Sequence, residues 1–226
     1  MKMQKLAAAA SLLFAASPAF AQFVIEVDTD GADDGVLTYS PNFGFGGDTT
    51  SASQSVPATA VGLTGGDSIF GGNGLNELDT YLYTYTPGVD GDNLGLAAGT
   101  ELNDDGAVAS GATAGTTGFY NVYATWPFTE NVTGGATTFT LSDSSNTPLF
   151  TTTFSQNNLG DEWILLGGAL LDENETYTLS QTAGSNTFVS MRAAGVLFDL
   201  APVTIPEPTS VAAVAGLSLL ALRRRR

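Results

Sequence analysis

Gly118-Phe119-Tyr120-Asn121-Val122-Tyr123-Ala124-Thr125-Trp126 is the stretch whose reading decides the fold class. Tyr120, Val122, Ala124 and Trp126 recur at every second position, so an extended chain puts all four on one face. A helix would scatter them around its circumference. The same pattern spreads outward. Phe23 to Val27, Asp79 to Thr86, Leu149 to Phe154, Glu162 to Leu166, Thr176 to Gln181 and Thr187 to Leu200 read as strands, as does the run Thr137-Phe139-Leu141. Turn formers separate them, such as Asn157-Asn158-Leu159-Gly160 and Ala183-Gly184-Ser185-Asn186. In the second half a strand recurs about every ten residues, the spacing of an antiparallel sandwich. Between residues 22 and 202 no window sustains a helical period, and Pro87 to Thr117 reads as loop with at most short strands. The expectation is one all-β domain over residues 22–202, an antiparallel, jelly-roll-like β-sandwich.

The second half also resembles a known family. Gly118 to Pro127, then Asp161-Glu162-Trp163-Ile164-Leu165-Leu166-Gly167, then Tyr177-Thr178-Leu179 is similar to the golvesin C-terminal-like domain. There a Y-x-V-x-x-x-W-P strand precedes W-x-x-L-G and a final strand. The resemblance covers about residues 118–200 and implies a jelly-roll-like sandwich akin to carbohydrate-binding modules. Ser190-Met191-Arg192-Ala193-Ala194-Gly195-Val196 departs from the family's usual Asp followed by Ala, Val and Arg, so no binding site is carried over.

Both ends carry sorting chemistry. Lys2 and Lys5, the apolar run Leu6 to Ala16 and the small residues Ala19 and Ala21 make a cleavable signal peptide over residues 1–21, with the mature chain starting at Gln22. At the other end, Pro206-Glu207-Pro208 precedes an apolar run to Leu222 and the cluster Arg223, Arg224, Arg225 and Arg226. Thr209 to Leu222 would span roughly 21 Å as a helix, short for a permanent anchor. The arginines resist transfer through hydrocarbon and hold that end on the cytoplasmic side. Residues 203–226 resemble the PEP-CTERM sorting domain of bacterial exported proteins. The resemblance implies an exosortase-type transpeptidase as partner, transient anchoring in the inner membrane through the C-terminal helix, and delivery to the cell surface.

Charge narrows the function. Of 23 acids only Glu207 lies outside residues 22–202, and of seven bases only Arg192 lies inside. Nucleic acid and anionic lipid need Lys and Arg, so neither is a partner of this domain. The chain has no Cys and no His. That removes the Ser-His-Asp triad and His-ligated zinc, and leaves any catalysis to Asp and Glu.

Three groups of residues could carry chemistry. Asp28-Thr29-Asp30-Gly31-Ala32-Asp33-Asp34-Gly35 is the densest acidic cluster. Asp28, Asp30, Asp33 and Asp34 are candidate calcium ligands, because a tight Gly-containing loop can aim several oxygens at one hard cation. Without it the cluster is a solvated turn. Asp90-Gly91-Asp92-Asn93 and Asn103-Asp104-Asp105-Gly106 are weaker versions. Tyr81, Tyr83 and Tyr85 share one strand face, either as a platform on which sugar rings stack or as a core-facing stripe. Trp126 and Trp163 read as core. Glu101, Asp104, Asp105, Asp161 and Glu162 contain no pair whose spacing marks an acid and a nucleophile for glycoside hydrolysis. The expected function is a non-catalytic surface or matrix protein that binds polysaccharide. The alternatives are a hydrolase or lyase working through Asp or Glu, and a purely structural protein.

Replacing Arg223 to Arg226 with neutral residues is expected to reduce inner-membrane retention and tail processing. Cell fractionation and immunoblotting read both. A variant that reaches the surface at normal size and yield would contradict the assignment.

Overall fold

A computed structural model describes residues 22–202, apart from 33, 131, 133–135 and 186–190. The signal peptide, Pro206-Glu207-Pro208, the apolar C-terminal run and Arg223 to Arg226 lie outside the described residues. Among the described residues no helix is long and apolar enough to cross a membrane.

The strands are β1 (Gln22–Glu26), β2 (Phe43–Gly46), β3 (Ser53–Ser55), β4 (Ser68–Phe70), β5 (Thr80–Tyr85), β6 (Gly118–Thr125), β7 (Thr137–Ser142), β8 (Pro148–Phe154), β9 (Ile164–Leu171), β10 (Tyr177–Thr182), β11 (Arg192–Ala193) and β12 (Gly195–Leu200). One sheet has the order β1-β12-β6-β9 and a second β2-β5-β10-β7-β8, while β11-β4-β3 forms a small third. Every ladder is antiparallel. The pairs β1·β12, β5·β10, β6·β9 and β7·β8 nest inside one another, which is how a jelly roll wraps. The domain is therefore the all-β sandwich that the alternating runs imply. Those runs match β1, β5, β6, β7, β8 and β10 within a residue or two. β9 extends well past Leu166, to Leu171, across the flat stretch Gly167-Gly168. The Thr187 to Leu200 run resolves into β11 and β12.

The short strands β2, β3 and β4 had no sequence signal of their own. Phe43-Gly44-Phe45-Gly46 alternates, but for only four residues. It is a strand because β5 offers it a ladder. Within residues 87–117 the chain forms a single helical turn, α1 (Pro87–Asp90), with Pro at its start, where a missing N–H does no harm.

Between the sheets the packing is largely aromatic. Tyr85 of one sheet lies against three strands of the other: Phe23 at 4.7 Å, Phe198 at 4.6 Å and Tyr120 at 5.8 Å between ring centroids. Trp126 stacks on Phe139 at 6.0 Å. Tyr81, Tyr83 and Tyr85 are all fully buried in this core, so they are no sugar platform. Burial requires each hydroxyl to find a partner. Tyr83 donates to Gln181 Oε1 at 3.1 Å, Tyr85 to Gly91 O at 3.0 Å and Tyr81 to Gly71 O. Burial also pushes all three phenols upward, further from ionisation.

A second apolar cluster lies on the outer face of the first sheet. Val24, Tyr123 and Leu197 point outward there and are covered by Ala60, Leu102, Ala109 and Trp163. Loops thus cover a face that the simple sandwich pattern would leave wet. Trp163 Nε1 donates to Val61 O at 2.8 Å.

Tyr85→Ala is expected to destabilise by about 3–5 kcal/mol, the range for truncating a buried aromatic ring. Tyr83→Phe should cost about 1–3 kcal/mol, because Gln181 Oε1 loses its donor inside the core. Val89→Ala, on the exposed surface, should stay within about 0.5 kcal/mol. Urea unfolding midpoints test the order.

Candidate functional site

The edge of β1 borders a groove of about 440 Å³, lined by Phe23, Val24, Glu26, Thr29, Ser40, Pro41, Asn42, Thr64, Val89, Asp90 and Asn93. Strand alternation builds its wall. Gln22 turns its backbone to the free edge, where it bonds Leu94, and Val24 does the same two residues on. The partner of Val24 is a side chain. Asn93 Oδ1 accepts from Val24 N at 2.6 Å and Asn93 Nδ2 donates to Val24 O at 2.7 Å, in the manner of a neighbouring strand. This blunts an edge that would otherwise pair with another chain. By the same alternation the Glu26 N–H and C=O also face the groove.

Two carboxylates stand in it. Glu26 is half-buried and accepts from Thr64 N at 3.1 Å and Thr64 Oγ1 at 2.8 Å. Burial raises its carboxyl above the ordinary range, against those bonds, and nearby Asp28 pushes the same way. Asp90, at the end of α1, accepts from Thr86 N at 2.6 Å and from Asn42 Nδ2 at 3.1 Å. Asn42 Nδ2 also donates to Thr84 O at 2.9 Å, tying the 40–42 turn to β5. Exposed Val89 forms an apolar lip. The groove thus combines fixed amides and carboxylates with small apolar surfaces, the usual composition of a small-molecule site.

The acidic loop lies alongside. Asp28 is buried, with Oδ1 accepting from Thr38 N at 2.5 Å and Oδ2 from Asp67 N at 3.1 Å. Asp30 and Asp34 are exposed and close short turns, accepting from Ala32 N at 2.8 Å and Val36 N at 2.9 Å. Asp33 is outside the described residues. No three carboxylates among the described residues converge as a metal-ligand group. Asp67 does join Asp28. It is buried and accepts from Gly35 N at 3.1 Å through Oδ2. Gly66 allows this approach, since a Cβ there would lie 2.9 Å from Asp28 Oδ2.

The remaining candidates are scattered. Asp161 accepts from Thr59 N at 3.0 Å, and Glu162 from Asp104 N at 2.8 Å, so both tie loops together. Asn103 Oδ1 caps Ala107 N at 2.9 Å. Asp90 and Asn93 of the second acidic cluster reach the groove as structural ties, where the sequence suggested metal ligands. Sequence reasoning missed Glu26, Asn42 and Asp67. Nothing in the chain marks the first two. Asp67 follows Thr64-Gly65-Gly66, which reads as an ordinary turn.

No family model matches the chain, and no curated protein matches it. Among solved structures it is similar to a Paenibacillus xanthan lyase determined to 2.6 Å, with a TM-score of 0.49 and 16% identity. The match covers 81% of this chain and 13% of that one, so the chain spans about an eighth of the lyase's length.

Burial raises the carboxyls of Glu26, Asp28 and Asp199. Each holds its proton more tightly folded than unfolded. Their stabilising contribution is full below the ordinary carboxylate value, about 4, and is lost as pH rises through their raised values. Asp48 is the reverse. Backbone N–H groups of Asn76, Leu75 and Glu77 hold its carboxyl low, so its contribution is lost only in stronger acid. The melting temperature should therefore rise as the pH falls from neutral toward the ordinary carboxylate value, about 4, before Asp48 protonates. A flat or falling profile in differential scanning calorimetry would contradict this sign.

Proposed function

We propose that this chain is an exported bacterial surface or matrix protein whose sandwich binds a neutral polysaccharide in the groove beside β1, without cleaving it. The groove itself carries the reading. Sugars present hydroxyls around small apolar ring faces, and Glu26, Asn42, Asp90 and Asn93 line the groove together with Pro41 and Val89. The Glu26 backbone and carboxylate offer a donor and acceptors at one point. With 22 acids and one base between residues 22 and 202, an anionic polymer would be repelled. Export rests on the signal peptide and on the Pro206-Glu207-Pro208 tail, with an exosortase-type transpeptidase as the partner that processes it.

One observation favours a second reading. Burial raises the Glu26 carboxyl, the direction in which a general acid is tuned, and Asp90 is a second carboxylate in the same groove. That would make the protein a carbohydrate-active hydrolase. The two readings separate in one experiment. The purified protein is titrated calorimetrically with neutral polysaccharides and assayed for new reducing ends. Binding that weakens at least tenfold in Glu26→Ala, with no reducing ends formed, supports the binding role. Reducing ends that vanish in Glu26→Gln support the enzyme. Equal affinity of Glu26→Ala and wild type removes the groove from both.

A further inference from the structure

We propose that the base of the 28–38 loop is a binding site for a divalent cation of the calcium class, held by the carboxylates of Asp28 and Asp67. The residues differ from those the sequence singles out. Asp67, far along the chain, takes the place that the exposed acids of the loop were expected to fill.

The argument begins with one oxygen. Asp67 is 2% exposed, and its Oδ1 is buried with no hydrogen-bond partner among the described residues. A carboxyl oxygen removed from water needs a donor or a positive charge. Its neighbour worsens the balance. Asp28 is 1% exposed and lies directly against it, with Oδ2 on Asp67 N at 3.1 Å. The surroundings add Glu26, Asp30 and Asp34, and no base. Arg192, the single base between residues 22 and 202, is engaged elsewhere. Its Nη1 donates to Ser55 Oγ at 2.8 Å and its guanidinium lies 5.8 Å from the Phe70 ring centre. Among the described residues the backbone N–H groups of Thr38, Asp67 and Gly35 answer the other three oxygens of the pair, and none reaches Asp67 Oδ1.

A hard cation would. Calcium takes oxygen ligands from carboxylates, backbone carbonyls and water at flexible geometry. Asp67 Oδ1 and the Asp28 carboxylate would supply the buried ligands, with water filling the remaining positions. Asp30 and Asp34 stay at the rim, where their charge draws the ion in. The Gly65-Gly66 pair brings the Asp67 segment against Asp28 without side chains between them. The bound ion would pin the 28–38 loop beside the groove, since Thr29 belongs to both.

The test uses the full-length protein purified in detergent. Thermal unfolding is followed in millimolar Ca²⁺ and in Na⁺ at equal ionic strength, because salt alone screens an acidic surface. Ca²⁺ is expected to raise the melting temperature several degrees more than Na⁺, and chelator to reverse the excess. Asp67→Asn should lose the calcium-specific part while melting no lower than wild type in chelator, since the amide buries no uncompensated charge. Tyr39 pairs with Asp28 across an isolated bridge, so terbium bound here should luminesce through Tyr39 and be displaced by Ca²⁺. Tyr39→Phe should remove that emission, which tests the site even if Asp67→Asn fails to fold. Equal shifts from Ca²⁺ and Na⁺, a full calcium shift in Asp67→Asn, or terbium emission unchanged in Tyr39→Phe would each overturn the proposal.

Discussion

The contact of Tyr85 with Phe23, Phe198 and Tyr120 joins the two sheets, and the rest of the structure follows from it. Two twisted sheets have to fill about 10 Å between them with side chains from alternate positions. Here the filling is aromatic, and each phenol brings a polar tip into the core. That tip constrains what lies around it. The hydroxyl of Tyr85 needs Gly91 O, which places the turn after α1. The hydroxyl of Tyr81 needs Gly71 O, which places the chain after β4. The end of α1 supplies Asp90 and leads to Asn93, so the core contact reaches the groove through two hydrogen bonds and a turn.

Acidity is managed without bases. Among the described residues the carboxylates are bound mostly by backbone N–H groups. Asp48 gathers three from residues 75–77, and Asp143 takes those of Ser145 and Thr147. A charge-assisted bond to a backbone amide satisfies the donor and stabilises the ionised form together. This lets a chain with few helices and long loops hold those loops in place. It also makes the buried carboxylates stand out. Asp199 is answered by Ser110 through its N–H and hydroxyl, while one oxygen of Asp67 has no hydrogen-bond partner among the described residues.

The long strands were legible because alternation is a local property. Tyr120, Val122, Ala124 and Trp126 announce an inward face, and that face is inward. The Tyr81, Tyr83 and Tyr85 stripe announces a shared face equally well, but periodicity cannot say whether the face meets solvent or a second sheet. Only the partner sheet decides that. The short strands β2, β3 and β4 were illegible for the same reason. Three or four residues carry little pattern, and they become strands when a neighbour offers hydrogen bonds. Trp163 reads as core from its place in the W-x-x-L-G pattern, yet it fills a separate cluster outside the first sheet, because loops from distant stretches cover that face.

The sequence by itself determined the all-β class, which residues of each long strand share a face, and the acidity of the domain, since these depend on neighbours along the chain and on composition. The tertiary structure alone decided where function can reside. Glu26, Asn42, Asp90 and Asn93 line one groove, and Asp28 meets Asp67 across 39 positions. Wrapping the chain into nested antiparallel pairs brings such distant loops together. Their meeting depends on the register and connection of whole strands, which no single stretch of residues encodes.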